Sequence, residues 1–207
     1  TIQKYISAKF KLIENQNKDS FALINKNDAQ IISKIKKIKY KSKLIKVNTK
    51  IKDKIIDEFK NENFLTKSNI ENLSFVISLC KILRIKKKNL IKTVRNFRGL
   101  KYRQQIIFKN KDLLIINDSK STSYSSSEEL LKMHNNIYWL VGGIPKKKDK
   151  LNLSKNNLKD IQVYIFGKNY QKFYNDLKNK AKLQKFKNLK KALDSIIIDI
   201  NNNNLRK

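Results

Sequence analysis

The chain is 207 residues long, which allows one domain or two small ones, and we expect two. Its 48 Lys and Arg residues outnumber 17 Asp and Glu residues, giving a net charge of +31. Only five of these cations are the arginines that base and phosphate recognition favour, so we interpret the charge as solvated surface lysine and expect no nucleic-acid partner. A single cysteine excludes an internal disulfide, and no apolar run reaches the roughly 18 residues of a membrane span, so we expect a cytoplasmic protein without membrane insertion.

The first half of the chain alternates between helix and strand patterns, as is typical of α/β proteins. The chain begins at Thr1 with an amphipathic helix that already looks complete, so we expect the natural start to lie upstream. Ser68-Asn69-Ile70-Glu71 has the form of a capping box at the start of a longer helix. The predicted elements are helices at 1–15, 29–35, 70–83 and 87–96, strands at 21–24 and 42–47, and a polar stretch at 50–63.

At Gly99 the helical periodicity gives way to strand alternation, and we place a domain border there, between 1–98 and 99–207. A second capping box, Ser126-x-x-Glu129, starts a helix in the second part. Two strands at 104–108 and 113–117 are predicted to turn at 109–112. The other elements predicted there are strands at 137–141 and 161–166 and helices at 170–179 and 189–197. This order predicts a mostly parallel sheet wrapped by helices. In such a sheet, ligands bind beyond the carboxyl ends of the strands, here at 117–123 and 142–146.

Lys9 is the first residue that the sequence singles out. On a helical wheel it falls near the centre of a stripe formed by Ile2, Tyr5, Ile6 and Ile13. One interpretation is that its stem packs on this stripe while its ammonium reaches water or a carboxylate. The other is a functional lysine, because burial favours a neutral, reactive amine.

A polar turn at residues 117–122, Asn-Asp-Ser-Lys-Ser-Thr, directly follows an apolar strand. A carboxylate there can hold ribose hydroxyls or a metal-bound water, and a lysine and a threonine can hold a substrate carboxylate. The alternative is an ordinary helix cap with solvated charges.

Two further segments offer binding groups for an anion. Gly142 and Gly143 provide backbone amides at a strand end and Lys146 adds a cation, although a Gly-Gly turn alone is a weak signal. Arg103, near the predicted border, is either a phosphate ligand or a surface salt-bridging residue. The chain has four glycines and no G-x-x-x-x-G-K-[ST] loop, so any nucleotide phosphates have to be held by a segment outside this sequence.

Several separate segments resemble the Mur ligases. Tyr5-Ile6-Ser7-Ala8-Lys9 resembles the family's Tyr-x-x-Ala-Lys helix, and Asn25-Lys26-Asn27-Asp28 resembles the Asn-x-x-Asp turn that follows it. Ser68-Asn69-Ile70-Glu71-Asn72 is similar to a His-Asn-x-x-Asn element near the adenine, with serine in place of histidine. The segment 97–103 is similar to Phe-x-Gly-Leu-Pro-His-Arg, with Lys101 and Tyr102 in place of Pro-His. The polar turn resembles the Asn-Asp-Ser-Lys-Ala-Thr of the D-glutamate-adding members.

The resemblance implies a role for eight residues. Lys9 is expected to be carbamylated and to hold magnesium, and Lys9, Arg103 and Lys120 are the expected catalytic residues. Asn69, Asn72, Arg103 and Asp118 are expected to bind ATP, and Lys120, Thr122 and Lys146 to bind D-glutamate. The implied fold is α/β: part of the central ATPase domain at 1–98, then a Rossmann-like C-terminal domain at 99–207 that lacks its last segment.

The implied reaction joins D-glutamate to UDP-N-acetylmuramoyl-L-alanine through an acyl phosphate, with ATP and Mg²⁺ as cofactors, in peptidoglycan synthesis. We expect a monomer, and we expect this chain to be inactive without the segments that it lacks. Two alternatives stay open: a basic nucleic-acid-binding module without enzymatic activity, and a decayed ligase, which Tyr102 in place of histidine favours.

Overall fold

The structure, a computed structural model, describes residues 2–51, 57–64, 66–146 and 149–204. Residues 52–56 of the predicted polar stretch therefore lie outside the described residues. The chain divides into two compact units, unit 1 at 1–98 and unit 2 at 99–207, and each is described by itself.

Unit 1 contains a β-α-β arrangement with further helices. Strands β1 (Phe21–Asn25) and β2 (Lys43–Val47) are parallel, with Phe21 opposite Lys43. Phe10, Ile24 and Ile35 form one buried cluster, and a second cluster is formed by Phe59, Leu73, Leu90 and Val94. The elements of unit 1 are α1 (Ile2–Glu14), β1 (Phe21–Asn25), α2 (Ala29–Ile35), β2 (Lys43–Val47), a 3-10 turn (Glu62–Phe64), α3 (Lys67–Ile82) and α4 (Lys87–Asn96).

The predicted capping box at Ser68 is wrong. Helix α3 begins at Lys67, and its N-cap is Thr66, whose hydroxyl accepts the Asn69 N–H. Thr66 is itself buried, so its hydroxyl satisfies a helix N–H that is shielded from water. The four-residue pattern was present, but an equally suitable cap residue stands two positions earlier.

Unit 2 has a three-stranded parallel sheet covered by helices, which confirms the predicted α/β class. In this sheet, strand β6 (Ile161–Phe166) lies between β5 (Ile137–Gly142) and β7 (Lys182–Phe186). On one face of β6, Val163 and Ile165 pack toward helices α5 (Tyr124–Met133) and α6 (Tyr170–Leu177). On the opposite face, Tyr164 packs with Ala192 and Ile196 of helix α7 (Leu189–Asn204). The elements are β3 (Gln105–Lys109), β4 (Leu114–Asn117), α5 (Tyr124–Met133), β5 (Ile137–Gly142), a 3-10 turn (Asn156–Leu158), β6 (Ile161–Phe166), α6 (Tyr170–Leu177), β7 (Lys182–Phe186) and α7 (Leu189–Asn204).

Three predictions for unit 2 need correction. Strand β4 pairs antiparallel with β3 in a separate hairpin, so residues 117–123 do not lie at the carboxyl edge of the parallel sheet. Helix α5 begins at Tyr124, before the predicted capping box at Ser126. Strand β7 was not predicted, because Lys-Leu-Gln-Lys-Phe carries too few apolar residues to stand out as a buried strand.

Among the described residues, the structure contains no helix with both the length and the apolar character that a membrane crossing requires.

Candidate functional site

The polar turn is organised around the Asp118 carboxylate. Its Oδ1 accepts the Gln104 backbone N–H at 3.0 Å, and its Oδ2 accepts the Ser121 hydroxyl at 2.6 Å. The Ser121 N–H closes the turn by donating to the Asp118 carbonyl at 2.9 Å. A carboxylate has about four acceptor positions, so each oxygen keeps room for a second donor.

Asp118 thereby joins the polar turn to the border segment, residues 99–104. A second bond joins the same two segments with donor and acceptor exchanged, from the Lys120 N–H of the turn to the Tyr102 carbonyl at 3.0 Å. The border segment turns sharply, since Tyr102 and Gln104 have φ of 66° and 46°, and Leu100 pairs with Arg103 in an isolated bridge. The structure therefore brings Arg103, Asp118 and Lys120 into one neighbourhood, although they are up to 17 residues apart in sequence, as the residue numbers show.

The polar turn leads directly into helix α5, and the start of this helix is tied to the segment after β5. The backbone N–H of Tyr124 donates to Asp149 Oδ2 at 2.8 Å. Asp149 in turn donates its own N–H to the Lys146 carbonyl at 3.4 Å. Thr122 and Lys146 are thus connected through Tyr124 and Asp149, so the structure links the two segments that the sequence nominated for the D-glutamate site.

Arg103, Lys120, Thr122 and Lys146 all have exposed side chains. Exposed cations and a hydroxyl near one carboxylate can accept an anionic ligand, because both lysines and the arginine donate hydrogen bonds and offer no acceptor. Gly142, at the end of β5, lies so close to the Phe166 ring that a Cβ there would approach ring carbons at 2.7 Å. A glycine at this position lets the chain leave β5 toward Lys146 without displacing that ring.

Asn69 and Asn72, the predicted adenine-side residues, lie on α3 in unit 1. The Asn69 amide nitrogen donates to the Asn63 carbonyl at 2.6 Å, so this side chain already holds the loop before the helix. Asn72, one turn further along α3, is exposed.

Lys9 does not lie at the centre of the apolar face of α1. Among the side chains of α1 whose burial is described, Phe10 is buried; it packs with Ile24 and Ile35 and lies outside the predicted stripe, of which Ile6 and Ile13 pack against the same cluster. Lys9 is exposed, and its ammonium lies 5.5 Å from the ring centre of Tyr5, itself 65% exposed. Burial is therefore no reason to expect an unusually reactive amine at this position.

The described side chains form no ready set of ligands for a magnesium ion. Across residues 2–51, 57–64, 66–146 and 149–204, no group of three or more His, Cys, Asp or Glu side chains is placed to hold a metal. An unmodified lysine ammonium has no lone pair to offer either. These residues do not fit a magnesium ion on their own.

Sequence reasoning missed a polar cluster under the start of α5. The Tyr124 hydroxyl donates to Asp176 Oδ2 at 3.1 Å, and the Lys172 ammonium lies 2.6 Å from the same oxygen and 5.4 Å from the Tyr124 ring centre. Burial, together with the neighbouring Asp176 and Asp149 carboxylates, raises the pKa of Tyr124 well above its ordinary value. These residues come from α5, α6 and the segment after β5, so no local sequence pattern joins them.

The comparisons with known proteins agree with the resemblance. The UDP-N-acetylmuramoylalanine--D-glutamate ligase of Rickettsia felis is 30% identical over 208 aligned positions, 92% of this chain and 46% of that protein. The same ligase of Rickettsia prowazekii is 32% identical over 84% of this chain and 43% of its own length. That of Fusobacterium nucleatum is 29% identical over 95% of this chain and 49% of its own length.

No protein-family model matches the chain. Among solved structures, Helicobacter pylori folylpolyglutamate synthetase superposes with a TM-score of 0.48 and 16% identity, over 88% of this chain and 50% of that one. The assignment rests on the sequence relatives, of which this chain spans about half the length. On their evidence, the chain belongs to the Mur ligase family.

Proposed function

We propose that this chain is part of an ATP-dependent ligase that adds D-glutamate to UDP-N-acetylmuramoyl-L-alanine. In this reaction a carboxylate oxygen of the precursor attacks the γ-phosphorus of ATP, and ADP leaves. The amine of D-glutamate then attacks the acyl carbon, the new C–N bond forms, and inorganic phosphate departs as the amine loses a proton. The observation that carries the proposal is the similarity to D-glutamate ligases over 92% of the chain.

The side chains of unit 2 suit the amino-acid half of this reaction. D-glutamate brings two carboxylates, and the exposed Lys120 and Lys146 ammonium groups with the Thr122 hydroxyl are donors for them. Their contribution is to bind and orient the substrate so that its amine faces the acyl carbon, which converts an encounter between two molecules into an oriented attack.

For the nucleotide half, the resemblance supplies candidate residues in each unit taken by itself. Arg103 and Asp118 supply a cation and a carboxylate beside the polar turn, suited to a phosphate and to ribose hydroxyls, and Asn72 with Asn69 is proposed to lie near the adenine. The phosphates themselves need a glycine-rich loop, and the four glycines of this sequence form none. We therefore propose that the chain is inactive on its own and works as part of a longer monomeric protein in the cytoplasm, where its ATP is available.

The one magnesium ligand that we propose in this sequence is Lys9 in carbamylated form. A carbamate formed from Lys9 and carbon dioxide would replace a cation by anionic oxygens, the ligands that magnesium prefers. Intact-mass measurement of the full-length protein at neutral pH is expected to find the added mass of one carbon dioxide, lost on acidification and absent from Lys9→Arg. An active protein with an unmodified Lys9 would refute this part of the proposal and leave the D-glutamate site untouched.

The D-glutamate site is tested by phosphate release from the full-length protein supplied with ATP and UDP-N-acetylmuramoyl-L-alanine. Release is expected only when D-glutamate is added, and not with L-glutamate. Lys120→Met is expected to lower kcat/KM for D-glutamate about 10- to 100-fold, because a hydrogen bond to a charged group is worth roughly 1.5–3 kcal/mol.

Lys111→Met is the matched control, because Lys111 is an exposed lysine in the β3–β4 turn of the same unit. The two variants remove the same charge from the same unit, so only the position differs. Equal losses in both variants would mean that overall charge, and not a site at Lys120, controls the rate. Absence of D-glutamate-dependent release in the wild-type protein would refute the proposed function as a whole.

The basic-module alternative is tested by the same preparation. A nucleic-acid-binding protein with this charge would hold a DNA or RNA oligonucleotide with an affinity that falls steeply as salt is raised and that depends on sequence. We expect only weak binding without sequence preference, because the chain has just five arginines among its 48 cations.

A further inference from the structure

The segment after β5 is held against helix α5 by contacts that the proposed reaction does not use. We call residues 149–153 the strap. Leu151 and Leu153 are buried within the main core of unit 2, so the strap is anchored at its far end. Its near end, Asp149, is bonded to the Lys146 carbonyl.

Asp149 acts as a long-range cap for helix α5. The first N–H groups of a helix have no partner within the helix, and a side-chain oxygen usually supplies one. Within the described chain Ser123, at the N-cap position, makes no such bond, because its hydroxyl pairs with Ser125 and Ser126 instead. The Asp149 carboxylate, 25 positions away from Tyr124, takes the Tyr124 N–H at 2.8 Å in its place.

Two lysines hold the backbone of the strap from the other side. The Lys172 ammonium donates to the Asp149 carbonyl at 3.0 Å while it pairs with Asp176 at 2.6 Å. The Lys180 ammonium lies 3.4 Å from both the Leu151 and the Leu153 carbonyl. A lysine that donates to main-chain carbonyls fixes the path of the chain, in contrast to one that is only solvated.

A third contact is made one turn along the helix. The Asn152 N–H donates to Glu128 Oε1 on α5 at 2.7 Å. The strap is therefore bonded to α5 at two points, and α5 begins two residues after Thr122. Asp149 thus contacts both the start of α5, through the Tyr124 N–H, and the segment that carries Lys146, through its bond to the Lys146 carbonyl.

We propose that Asp149 and Lys172 are positioning residues that hold Lys146 at the distance from Thr122 and Lys120 that one D-glutamate requires. This inference rests on the proposed function. Neither residue touches the substrate in it; both act through the strap. Lys146 is exposed at the end of a segment that leaves β5 through Gly143, so the contacts of Asp149 supply the second anchor of that segment.

The test compares Michaelis constants in the full-length protein. Asp149→Ala is expected to raise KM for D-glutamate about 10-fold and to leave KM for ATP within about two-fold, since the lost bonds separate two donors of the D-glutamate site only. Asp149→Asn keeps an oxygen for the Tyr124 N–H and is expected to fall between wild type and Asp149→Ala. Lys172→Met is expected to raise the same KM.

Two variants control for a purely structural effect. Asp194→Asn removes an exposed carboxylate from α7 and is expected to change neither constant. Tyr124→Phe removes the buried hydroxyl bonded to Asp176 but keeps the N–H that Asp149 binds, so it is expected to lower stability without raising KM for D-glutamate. If Asp149→Ala behaves like Tyr124→Phe, lowering stability alone, the positioning role is overturned.

Amide hydrogen exchange of residues 149–153 separates this inference from the function on which it rests. Exchange there is expected to be faster in Asp149→Ala and Lys172→Met than in wild type, with no substrate present. Equal exchange rates in all three proteins would overturn the strap whatever the activity. A different result is faster exchange in the two variants but no D-glutamate-dependent phosphate release by the wild-type protein. The contacts of the strap would then stand, but its role in binding D-glutamate would be overturned, because the proposed function itself would have failed.

Discussion

The buried hydroxyl of Tyr164 offers a sharp test of how the last helix is held on the sheet. Tyr164 lies in the central strand β6 with no exposed surface, and its hydroxyl donates to Asp199 Oδ2 of α7 at 2.5 Å. Asp199 also accepts from the Gln184 amide at 3.1 Å, so it keeps one partner when the hydroxyl is removed. In Tyr164→Phe the ring contact with Phe186 is retained, while the hydroxyl's bond to Asp199 and its longer contact with Gln162 Oε1 at 3.2 Å are lost.

We expect Tyr164→Phe to lower the free energy of unfolding of unit 2 by about 2 kcal/mol, within the range for a hydrogen bond to a charged group. The single tryptophan of the chain, Trp139, lies on the neighbouring strand β5, so its fluorescence in a urea titration follows unit 2. Tyr170→Phe, at an exposed tyrosine on α6, is the matched control and is expected to change stability by less than about 0.5 kcal/mol.

A double-mutant cycle with Asp199→Asn separates this bond from other effects of the substitutions. If the hydroxyl and the carboxylate interact as described, the two changes together cost less than the sum of the single changes, with a coupling of about 1 kcal/mol or more. Strict additivity, or a Tyr164→Phe protein as stable as Tyr170→Phe, would refute the reasoning.

Two further outcomes are expected in the same titration, and a third is expected in amide hydrogen exchange. Burial and the Asp199 bond raise the pKa of Tyr164, so above about pH 10 the unfolded state loses a proton that the folded state keeps. The stability advantage of wild type over Tyr164→Phe should therefore be intact below about pH 10 and shrink as the pH rises from there toward the raised pKa of the folded state, and an unchanged difference above about pH 10 would contradict this. Gly142→Ala is expected to lower the free energy of unfolding by about 1–3 kcal/mol, because the added Cβ meets the Phe166 ring. Adding Phe166→Leu should recover part of that loss, and no recovery would exclude the clash as its cause. Asp118→Ala should speed amide exchange at Gln104, whereas Asp112→Ala, in the exposed β3–β4 turn, should not.

Local patterns predicted the helices and most strands well. Helices α2 and α4 begin and end at the predicted residues, because their apolar spacing is clear and their flanks are polar. The turn between β3 and β4 was predicted, and the two strands do pair antiparallel as a hairpin. Its strands follow the predicted residues closely, but nothing in their composition shows that they pair only with each other and stay outside the parallel sheet.

The candidate site was likewise predictable from sequence only in part. The polar turn could be nominated from sequence, because six consecutive polar residues after an apolar strand are conspicuous, and its assignment to D-glutamate stays a prediction. Asp149 could not be found in this way. Its partner is the backbone N–H of Tyr124, a group that every residue except proline carries, so a cap supplied from 25 positions away leaves no mark on the local sequence.

Lys9 shows how one omitted residue misdirects a periodicity argument. A wheel that leaves out Phe10 centres the apolar stripe close to Lys9, whereas the face that packs into the cluster carries Phe10 together with Ile6 and Ile13. With Lys9 exposed, its carbamylation has no support from burial and depends on the resemblance of the Tyr5–Lys9 segment to the family's helix.

Asp118 has two roles, one proposed in ATP binding and one structural, and a substitution of Asp118 affects both at once. The resemblance assigns its carboxylate to ATP, while the structure uses both of its oxygens to join the polar turn to the border segment that bears Arg103. Loss of Asp118 would therefore displace Arg103 as well as remove a ligand, and a fall in ATP affinity would not identify which had occurred. Ser121→Ala removes one of the structural bonds and leaves the carboxylate in place, so its effect on KM for ATP measures how far the position of the turn, apart from its charge, determines nucleotide binding.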